Sequence, residues 1–264
     1  LKAYDGDTDI TDAANVHVTY AGVTTAGDAY LSSEAPTEPG TYTQTATVIG
    51  GNYFAKPISR FFAINRVETE VVLAGDDFTY NASPQRPTVT VFDSDGPLID
   101  LSTLKFTYLY SGVTKGGKMY LSSEAPTEAG RYVVNVTCLG NSFYGSSSAT
   151  KWFNIDKADA AISVDDDTVT YDGDPHGLTA TATIADGAVD VSDQLVMHYN
   201  GNDEEPTDAD SYEVVVTFPG NDNINPTAVK AELVIEKAAV TVSLDGDSVV
   251  YNGAEHQLKG TAAF

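Results

Sequence analysis

The sequence has little of what holds many small proteins together. It contains one cysteine, one tryptophan and two methionines among 264 residues. A single cysteine cannot form an internal disulfide, so the fold must be held by packed cores. Cys138 follows an alternating apolar pattern, and we predict that it is a buried core residue. The lone thiol does not distinguish an exported protein from a cytosolic one.

Basic residues and long apolar runs are also scarce. Fourteen Lys and Arg stand against 38 Asp and Glu, which leaves a formal net charge of −24. This charge would repel nucleic acids and anionic membranes, so we expect neither as a partner. No apolar run approaches the roughly 20 residues that cross a bilayer, so no direct membrane insertion is expected. The chain begins Leu1-Lys-Ala, without initiator methionine or signal sequence, and we interpret it as an excerpt.

Helical periodicity is missing, whereas a period of two recurs. In the segment Tyr132-Val-Val-Asn-Val-Thr-Cys138, every second residue is apolar, as in a half-buried strand. Turn residues interrupt such runs at short intervals. The pattern predicts an all-β protein made of tandem Ig-like β-sandwich modules in an extended array. A β-grasp-like module is the alternative, and a short helical turn is expected near residues 101–104 or 191–194.

The chain is internally repeated. The segment Tyr30-Leu-Ser-Ser-Glu-Ala-Pro-Thr-Glu38 recurs ninety positions later, from Tyr120 to Glu128. Identity over nine residues does not arise from composition alone, so the chain is built from repeated copies of one module. Further landmarks keep their order: Pro36, Pro126 and Pro206, then Tyr42, Tyr132 and Tyr212, then Gly51-Asn52, Gly140-Asn141 and Gly220-Asn221.

These landmarks predict two complete modules between two partial ones. Residues 1–66 are the back of a module, 67–157 and 158–237 are complete, and 238–264 are the front of another. We call them the first to fourth modules. The first two modules carry an extra segment, residues 23–33 and 113–123, which the third lacks. We call it the insert.

Two sets of tyrosines are singled out by these repeats. Tyr42, Tyr132 and Tyr212 follow a tight turn at the start of a strand. This position predicts a tyrosine corner, with a buried ring and a hydroxyl bonded to the backbone. Tyr30 and Tyr120 lie on the glycine-rich insert, which makes them the candidate ligand-binding residues. The alternative is that they pack back onto their own modules.

Neither catalysis nor a cofactor is predicted. His176 and His256 are equivalent, but the second module has Gln85 at that place, so no catalytic dyad recurs. The acidic turns could supply carboxylates to calcium: Asp165-Asp-Asp167, Asp172-Gly-Asp174 and Asp245-Gly-Asp247. No EF-hand register is present, so we expect no cofactor, and calcium stays the open alternative.

The repeated landmarks resemble a known family. They include Tyr171-Asp-Gly173, Pro206-Thr-Asp-Ala-Asp-Ser-Tyr212, Gly220-Asn221 and Ile235-Glu-Lys-Ala238, and Tyr251-Asn-Gly253 begins the pattern again. This succession is similar to the MBG and YDG repeat domains of bacterial surface proteins and large adhesins. The second module departs from it with Tyr80-Asn-Ala82, and Arg66-Val67 replaces Lys-Ala.

The resemblance implies a secreted, non-catalytic β module on the bacterial cell surface. We therefore expect a stalk or spacer in an adhesin-like protein that contributes to adhesion. Glycan or mucin binding, with a host or environmental glycoprotein as partner, is one alternative; accessory domains of a large secreted enzyme are another. The partial modules at the two ends also predict head-to-tail self-association by strand addition.

Overall fold

A computed structural model describes residues 2–98, 100–246, 248–257 and 259–263. Nearly all regular structure in these residues is β-strand, and the one helix is the 3-10 turn Ser192–Gln194. The all-β prediction is confirmed, and the short turn lies where residues 191–194 were expected to form one. A β-grasp-like module would need an α-helix packed on its sheet, and the described residues contain no α-helix.

The strands follow one another in the same order in each module. Residues 2–66 contain β1 (Tyr4–Asp5), β2 (Thr8–Asp9), β3 (Val16–Thr24), β4 (Ala29–Ser32), β5 (Gly40–Val48) and β6 (Ile58–Ile64). The second module contains β7 (Glu70–Ala74), β8 (Asp77–Thr79), β9 (Thr88–Asp93), β10 (Gly96–Pro97), β11 (Phe106–Thr114), β12 (Met119–Ser122), β13 (Gly130–Cys138) and β14 (Ser147–Asp156). The third contains β15 (Ala161–Val164), β16 (Asp167–Thr170), β17 (Ala180–Ile184), β18 (Val189–Asp190), β19 (Val196–Tyr199), β20 (Ser211–Phe218) and β21 (Thr227–Glu236). The last two strands are β22 (Thr241–Asp245) and β23 (Lys259–Ala263).

The second module is a sandwich of two sheets. One sheet has the order β12-β11-β13-β14-β8 and the other β10-β9-β7. All neighbours are antiparallel except β8, which runs parallel to β14. Val134, Val136 and Cys138 of β13 are buried between the sheets against Val71 and Val91 of the other sheet. Burial of each valine side chain contributes about 1.5–3 kcal/mol to the free energy of folding. Strand β13 therefore stabilises the module through the side chains of its inward face.

The third module repeats this arrangement without the hairpin strand that the insert supplies. Its sheets have the orders β16-β21-β20-β19 and β15-β17-β18, and β16 runs parallel to β21. Val214 and Val216 of β20 are fully buried, with Leu233 and Ile235 of β21 beside them. The same alternation therefore builds the same core in both modules.

The two ends of the chain contain parts of this sandwich. Strands β3 to β6 form a sheet of order β4-β3-β5-β6, and β6 lies at its edge among the described residues. At the other end, β22 pairs with β23 in the register Thr241↔Ala263, which matches Ala161↔Thr183 of β15 and β17 eighty positions earlier. The apolar side chains of this last hairpin, such as Val242, are exposed.

Candidate functional site

The three corner tyrosines share one geometry. The hydroxyl of Tyr132 donates to the carbonyl oxygen of Glu128 at 2.7 Å, and its ring is fully buried. Burial, with a smaller contribution from the Glu128 charge, raises the pKa of the Tyr132 hydroxyl to about 12. The hydroxyls of Tyr42 and Tyr212 donate to the carbonyl oxygens four residues earlier, each at 2.8 Å. All three tyrosines hold the turn before the strand. The rings of Tyr42 and Tyr132 are buried and not open to a ligand, whereas that of Tyr212 is half-buried.

A glycine lies beneath the corner tyrosine in both modules that carry the insert. Gly112 pairs with Tyr132 across the sheet, and Gly22 pairs with Tyr42. A Cβ at Gly112 would lie 2.3 Å from the Arg131 carbonyl oxygen and 2.6 Å from Cδ1 of Tyr132. No side chain fits at that distance. The glycines that precede the insert are therefore required by the tyrosine ring.

The candidate ligand-binding tyrosines are part of the same aromatic cluster. The Tyr120 hydroxyl donates to the Glu124 carbonyl oxygen at 2.8 Å, and its ring meets Tyr132 edge-on at a centroid distance of 5.6 Å. Tyr30 makes the same ring contact with Tyr42. Both rings are half-buried, so they widen the tyrosine corner instead of projecting from the insert.

The Pro-Thr landmark has a structural role in both complete modules. The backbone N–H of Gln85 donates to the Pro126 carbonyl oxygen, and that of His176 donates to Pro206, each at 2.9 Å. This bond ties the turn after the second strand to the loop before the corner tyrosine. Nε2 of His176 also lies 3.0 Å from Oδ1 of Asp172. The equivalence of Gln85 and His176 reflects this shared backbone bond.

Successive modules are joined without a free linker. The first residue after the junction, Val67, bonds to the Gly-Asn turn of its own module: its N–H donates to Phe143 O and its carbonyl accepts from Gly145 N, both at 2.8 Å. Ala158 makes the equivalent bonds to Asn223 and Asn225. The chain therefore enters the next sandwich two or three residues after the last strand ends.

Side-chain contacts reinforce the junction between the second and third modules. Oδ1 of Asn223 accepts from the Ala129 N–H at 2.8 Å, and Nζ of Lys157 donates to the Asn221 carbonyl oxygen at 2.6 Å. Tyr80 packs against the cores of both modules. The Gly-Asn turn of the third module is thus held directly by residues of the second.

The insert tips lie at the same junctions. Oγ1 of Thr25 donates to the Ser142 carbonyl oxygen at 2.5 Å, which joins the first module to the second. In the second module, the insert residue Gly116 lies against the Asp222 carboxylate of the third module. The insert therefore contacts the next module along the chain in both cases.

This architecture matches a family of repeat domains. The family model described as MBG domain matches residues 69–159 and again residues 160–239. The chain belongs to the MBG domain family. Its second and third modules are tandem MBG domains, as the landmarks indicated. We keep the module numbers and call them the second and third MBG domains. No curated protein matches the sequence.

Among solved structures, the MBG domains are similar to other arrays of β domains. The three N-terminal domains of the outer capsid protein Hoc of bacteriophage RB49 share 14% identity, covering 90% of this chain and 92% of that one, with a TM-score of 0.27. Drosophila N-cadherin EC1-3 shares 10% identity at the same coverages, with a TM-score of 0.25. At these identities the likeness concerns the fold alone.

The outward sheet face of the second MBG domain carries an exposed apolar strip that the sequence reasoning missed. Trp152 is 57% exposed, and the Arg131 guanidinium lies over its ring at 4.9 Å. Met119 and Leu121 of the insert are exposed on the same face. Its outward position could have been predicted from the sequence, because Trp152 precedes the inward-facing Phe153 on a strand whose side chains alternate between the two faces.

The first module repeats this strip and the third MBG domain does not. Phe61, which is 71% exposed, occupies the place of Trp152, and Leu31 that of Leu121. In the third MBG domain the place of Trp152 is taken by Glu232, which accepts a hydrogen bond from Ser211. An exposed apolar face therefore accompanies the insert.

A cleft of about 350 Å³ also lies in the second MBG domain. The Arg86 guanidinium lies over the Tyr108 ring at 4.9 Å. The third MBG domain has Gly177 in place of Arg86, and the Glu205 carboxylate occupies the space beside it. The cleft is lined by Arg86, Pro87, Thr88, Val89, Leu101, Phe106 and Tyr108. The third MBG domain therefore does not repeat the arginine side of this cleft.

Two of the three acidic turns accept hydrogen bonds from the backbone. Oδ1 of Asp166 accepts from the Glu232 N–H, and Oδ1 of Asp172 accepts from Asp174 N–H, which lowers the pKa of Asp172. Asp247 lies outside the described residues. Elsewhere, the part of the chain that the structure describes holds no group of three or more His, Cys, Asp or Glu placed to hold a metal ion. The expectation of no cofactor stays a prediction, with calcium as its open alternative.

The described segments also contain no helix with the length and apolarity that a membrane crossing requires.

Proposed function

We propose that these MBG domains are a non-catalytic spacer in a bacterial cell-surface protein, outside the cell. The observation that carries the proposal is the junction: Ala158 is hydrogen-bonded into the third MBG domain directly after the last strand of the second. A flexible linker would let the domains approach one another. A junction without free residues favours a fixed separation.

The side chains at the junction and the charge of the chain agree with this role. The contacts of Asn223 with Ala129 and of Lys157 with Asn221 join neighbouring domains at specific atoms. The net charge of −24 keeps an extended surface soluble and repels anionic membranes. These features support separation of a distal region from the cell.

Small-angle scattering of the 264-residue chain, extrapolated to zero protein concentration, tests the spacer. A nine-residue strand spans about 30 Å, so three modules joined end to end should give a radius of gyration of about 30 Å. A compact protein of this length would have a radius of about 18 Å. We expect the larger value at low and high salt. A value near the compact one, or strong contraction in high salt, would show that the chain is not a spacer.

A second candidate function is glycan binding at the exposed apolar strip. The observation that favours it is the outward aromatic residue, Trp152 in the second MBG domain and Phe61 in the first module, next to the exposed leucine of the insert. An exposed aromatic face with an adjacent arginine suits stacking of a sugar ring. The insert would then contribute to binding through Leu121 instead of Tyr120.

The single tryptophan of the chain gives a direct test. Neutral and mucin-type glycans are titrated while the fluorescence of Trp152 is followed, and binding is repeated by calorimetry with Trp152→Ala. We expect a fluorescence change in the native chain and at least a tenfold loss of affinity in the variant, about 1.4 kcal/mol. Phe54→Ala, which removes an exposed aromatic elsewhere, is the matched control. Absence of binding, or equal loss in both variants, would count against a site at this face.

A further inference from the structure

The two insert tips meet their neighbours at equivalent positions. Ala26 and Gly116 are equivalent, ninety residues apart, and Ser142 and Asp222 are equivalent, eighty residues apart. Ser142 accepts the hydrogen bond of Thr25, the residue before Ala26. Asp222 lies against Gly116 itself. One surface of the insert therefore meets one surface of the Gly-Asn turn in two independent copies.

The residues at this contact differ in size between the two copies. A Cβ at Gly116 would lie 2.1 Å from Oδ2 of Asp222. Gly116 does not adopt a left-handed conformation, so its backbone would accept alanine and only the facing carboxylate opposes it. The first module has alanine at this position, Ala26, and there the facing turn carries the smaller Ser142. Gly116, the smaller tip residue, therefore occurs with the larger Asp222, and the larger Ala26 occurs with the smaller Ser142.

We propose that the insert is a clamp that docks onto the Gly-Asn turn of the following MBG domain, and that the pairs Ala26–Ser142 and Gly116–Asp222 decide which domain can follow which. The inference rests on the spacer function proposed above and names the residues that hold its junctions. The partner surface is an asparagine-containing turn, here Asn221 to Asn223, whose polar groups already bond to Ala129 and Lys157.

The third MBG domain lacks this clamp. Its strands β19 and β20 are joined by a shorter loop, which begins with a tight turn in which Tyr199 and Asn202 exchange backbone hydrogen bonds. No residue there corresponds to Gly116. A junction that follows a domain without the insert would therefore rest on fewer contacts, so the array would contain both clamped and less restrained junctions.

The clamp is tested by the distance between two spin labels in the full chain. Ser148→Cys and Ala228→Cys place labels at equivalent exposed sites on β14 and β21. The native Cys138 is fully buried and stays unlabelled. In Gly116→Ala a Cβ would lie 2.1 Å from Oδ2 of Asp222, so either the exposed Asp222 side chain rotates away from the insert or the contact opens, and in both cases the native contact is lost. We expect the distance distribution to shift and broaden.

The second substitution supplies the rescue. Gly116→Ala with Asp222→Ser reproduces the pair of the first junction, so the native distribution should return. Gly117→Ala is the control, because a side chain at the neighbouring Gly117 meets nothing within 4 Å although the backbone is left-handed there, with φ of 82°. It should strain the hairpin and leave the distance unchanged.

The outcomes separate the clamp from the spacer. An unchanged distribution in Gly116→Ala, or a broadened one that Asp222→Ser does not restore, would overturn the clamp. Asp222→Ser alone leaves the hairpin unchanged, so it tests the contact even if Gly116→Ala fails to fold. This variant should broaden the distance distribution, because Gly116 and the smaller serine side chain would no longer fill the junction. A native-like distribution in that variant would also count against the clamp. Failure of the spacer would appear instead in the radius of gyration of the unaltered chain.

Discussion

Replacing Tyr132 by alanine is expected to lower the free energy of unfolding of the second MBG domain by about 3–5 kcal/mol. The ring is fully buried and lies 5.6 Å, centroid to centroid, from the rings of both Tyr120 and Phe153. Its removal would leave a cavity above Gly112, where the sheet backbone cannot move in to fill it. The hydroxyl bond that closes the preceding turn would be lost at the same time.

A conservative variant separates the contribution of the Tyr132 ring to stability from that of its hydroxyl. Tyr132→Phe keeps the ring and removes the bond to the Glu128 carbonyl oxygen, so we expect a loss of about 1 kcal/mol. Urea unfolding is followed by the fluorescence of Trp152, which reports on this domain because it lies on β14. An alanine variant no less stable than the phenylalanine variant would show that the ring is not a core element.

The third MBG domain provides the matched comparison. Tyr212 makes the same backbone bond, to Asp208, but its ring is only half-buried and no insert tyrosine packs on it. Tyr212→Ala should therefore cost less than Tyr132→Ala, because less apolar area leaves the core. This comparison separates the effect of the corner from that of the aromatic cluster around it.

A polypeptide of residues 1–264 is expected to associate head to tail with a second copy of itself. In both complete MBG domains a short strand runs parallel to the last strand: β8 beside β14, and β16 beside β21. Strand β6 is the equivalent last strand of the first module and lies at the edge of its sheet among the described residues. The register Val169↔Ile235 would place Val249 of the second copy beside Ile64.

Two neighbouring valines give a matched test of this association. Val249 corresponds to Val169, which packs against the core of the third MBG domain, whereas Val250 corresponds to the exposed Thr170. Both valines are exposed in the single chain, so neither Val249→Asp nor Val250→Asp should unfold it. Light scattering should show a mass that rises with concentration in the native chain and in Val250→Asp. Val249→Asp should remain monomeric.

Equal masses for the two variants, or a monomeric native chain at high concentration, would contradict strand addition. The partner in this experiment is a second copy of the same polypeptide. Where the array continues, the neighbouring repeat would supply the same strand within one chain.

Local sequence patterns were sufficient for much of the fold. The period of two predicted strands, and it placed Val134, Val136 and Cys138 on one face of β13, all of which are buried. The order of the landmarks predicted repeated modules of MBG type, which the family match confirms. These features were predictable because strand alternation and turn chemistry act between residues close in sequence.

The role of the insert was not predictable in this way. Glycines and tyrosines on a projecting segment are typical of a ligand loop, and that interpretation singled out Tyr30 and Tyr120. The alternative was that the two side chains pack back onto their own modules, and the sequence did not decide between the two. In the folded chain both rings pack on corner tyrosines, and Gly112 lies under Tyr132 because the sheet pairs them. Alternation predicts which side chains share a face, but it does not predict what covers that face.

The sequence by itself therefore determined the strands, the repeat and the inward face of each module. Only the tertiary structure decided that Gly116 lies against Asp222 and that Asn223 accepts a bond from Ala129. These pairs are separated by about a hundred residues, and they meet because the last strand of one domain leads directly into the next. Their proximity depends on how two folded domains abut, which no local pattern encodes.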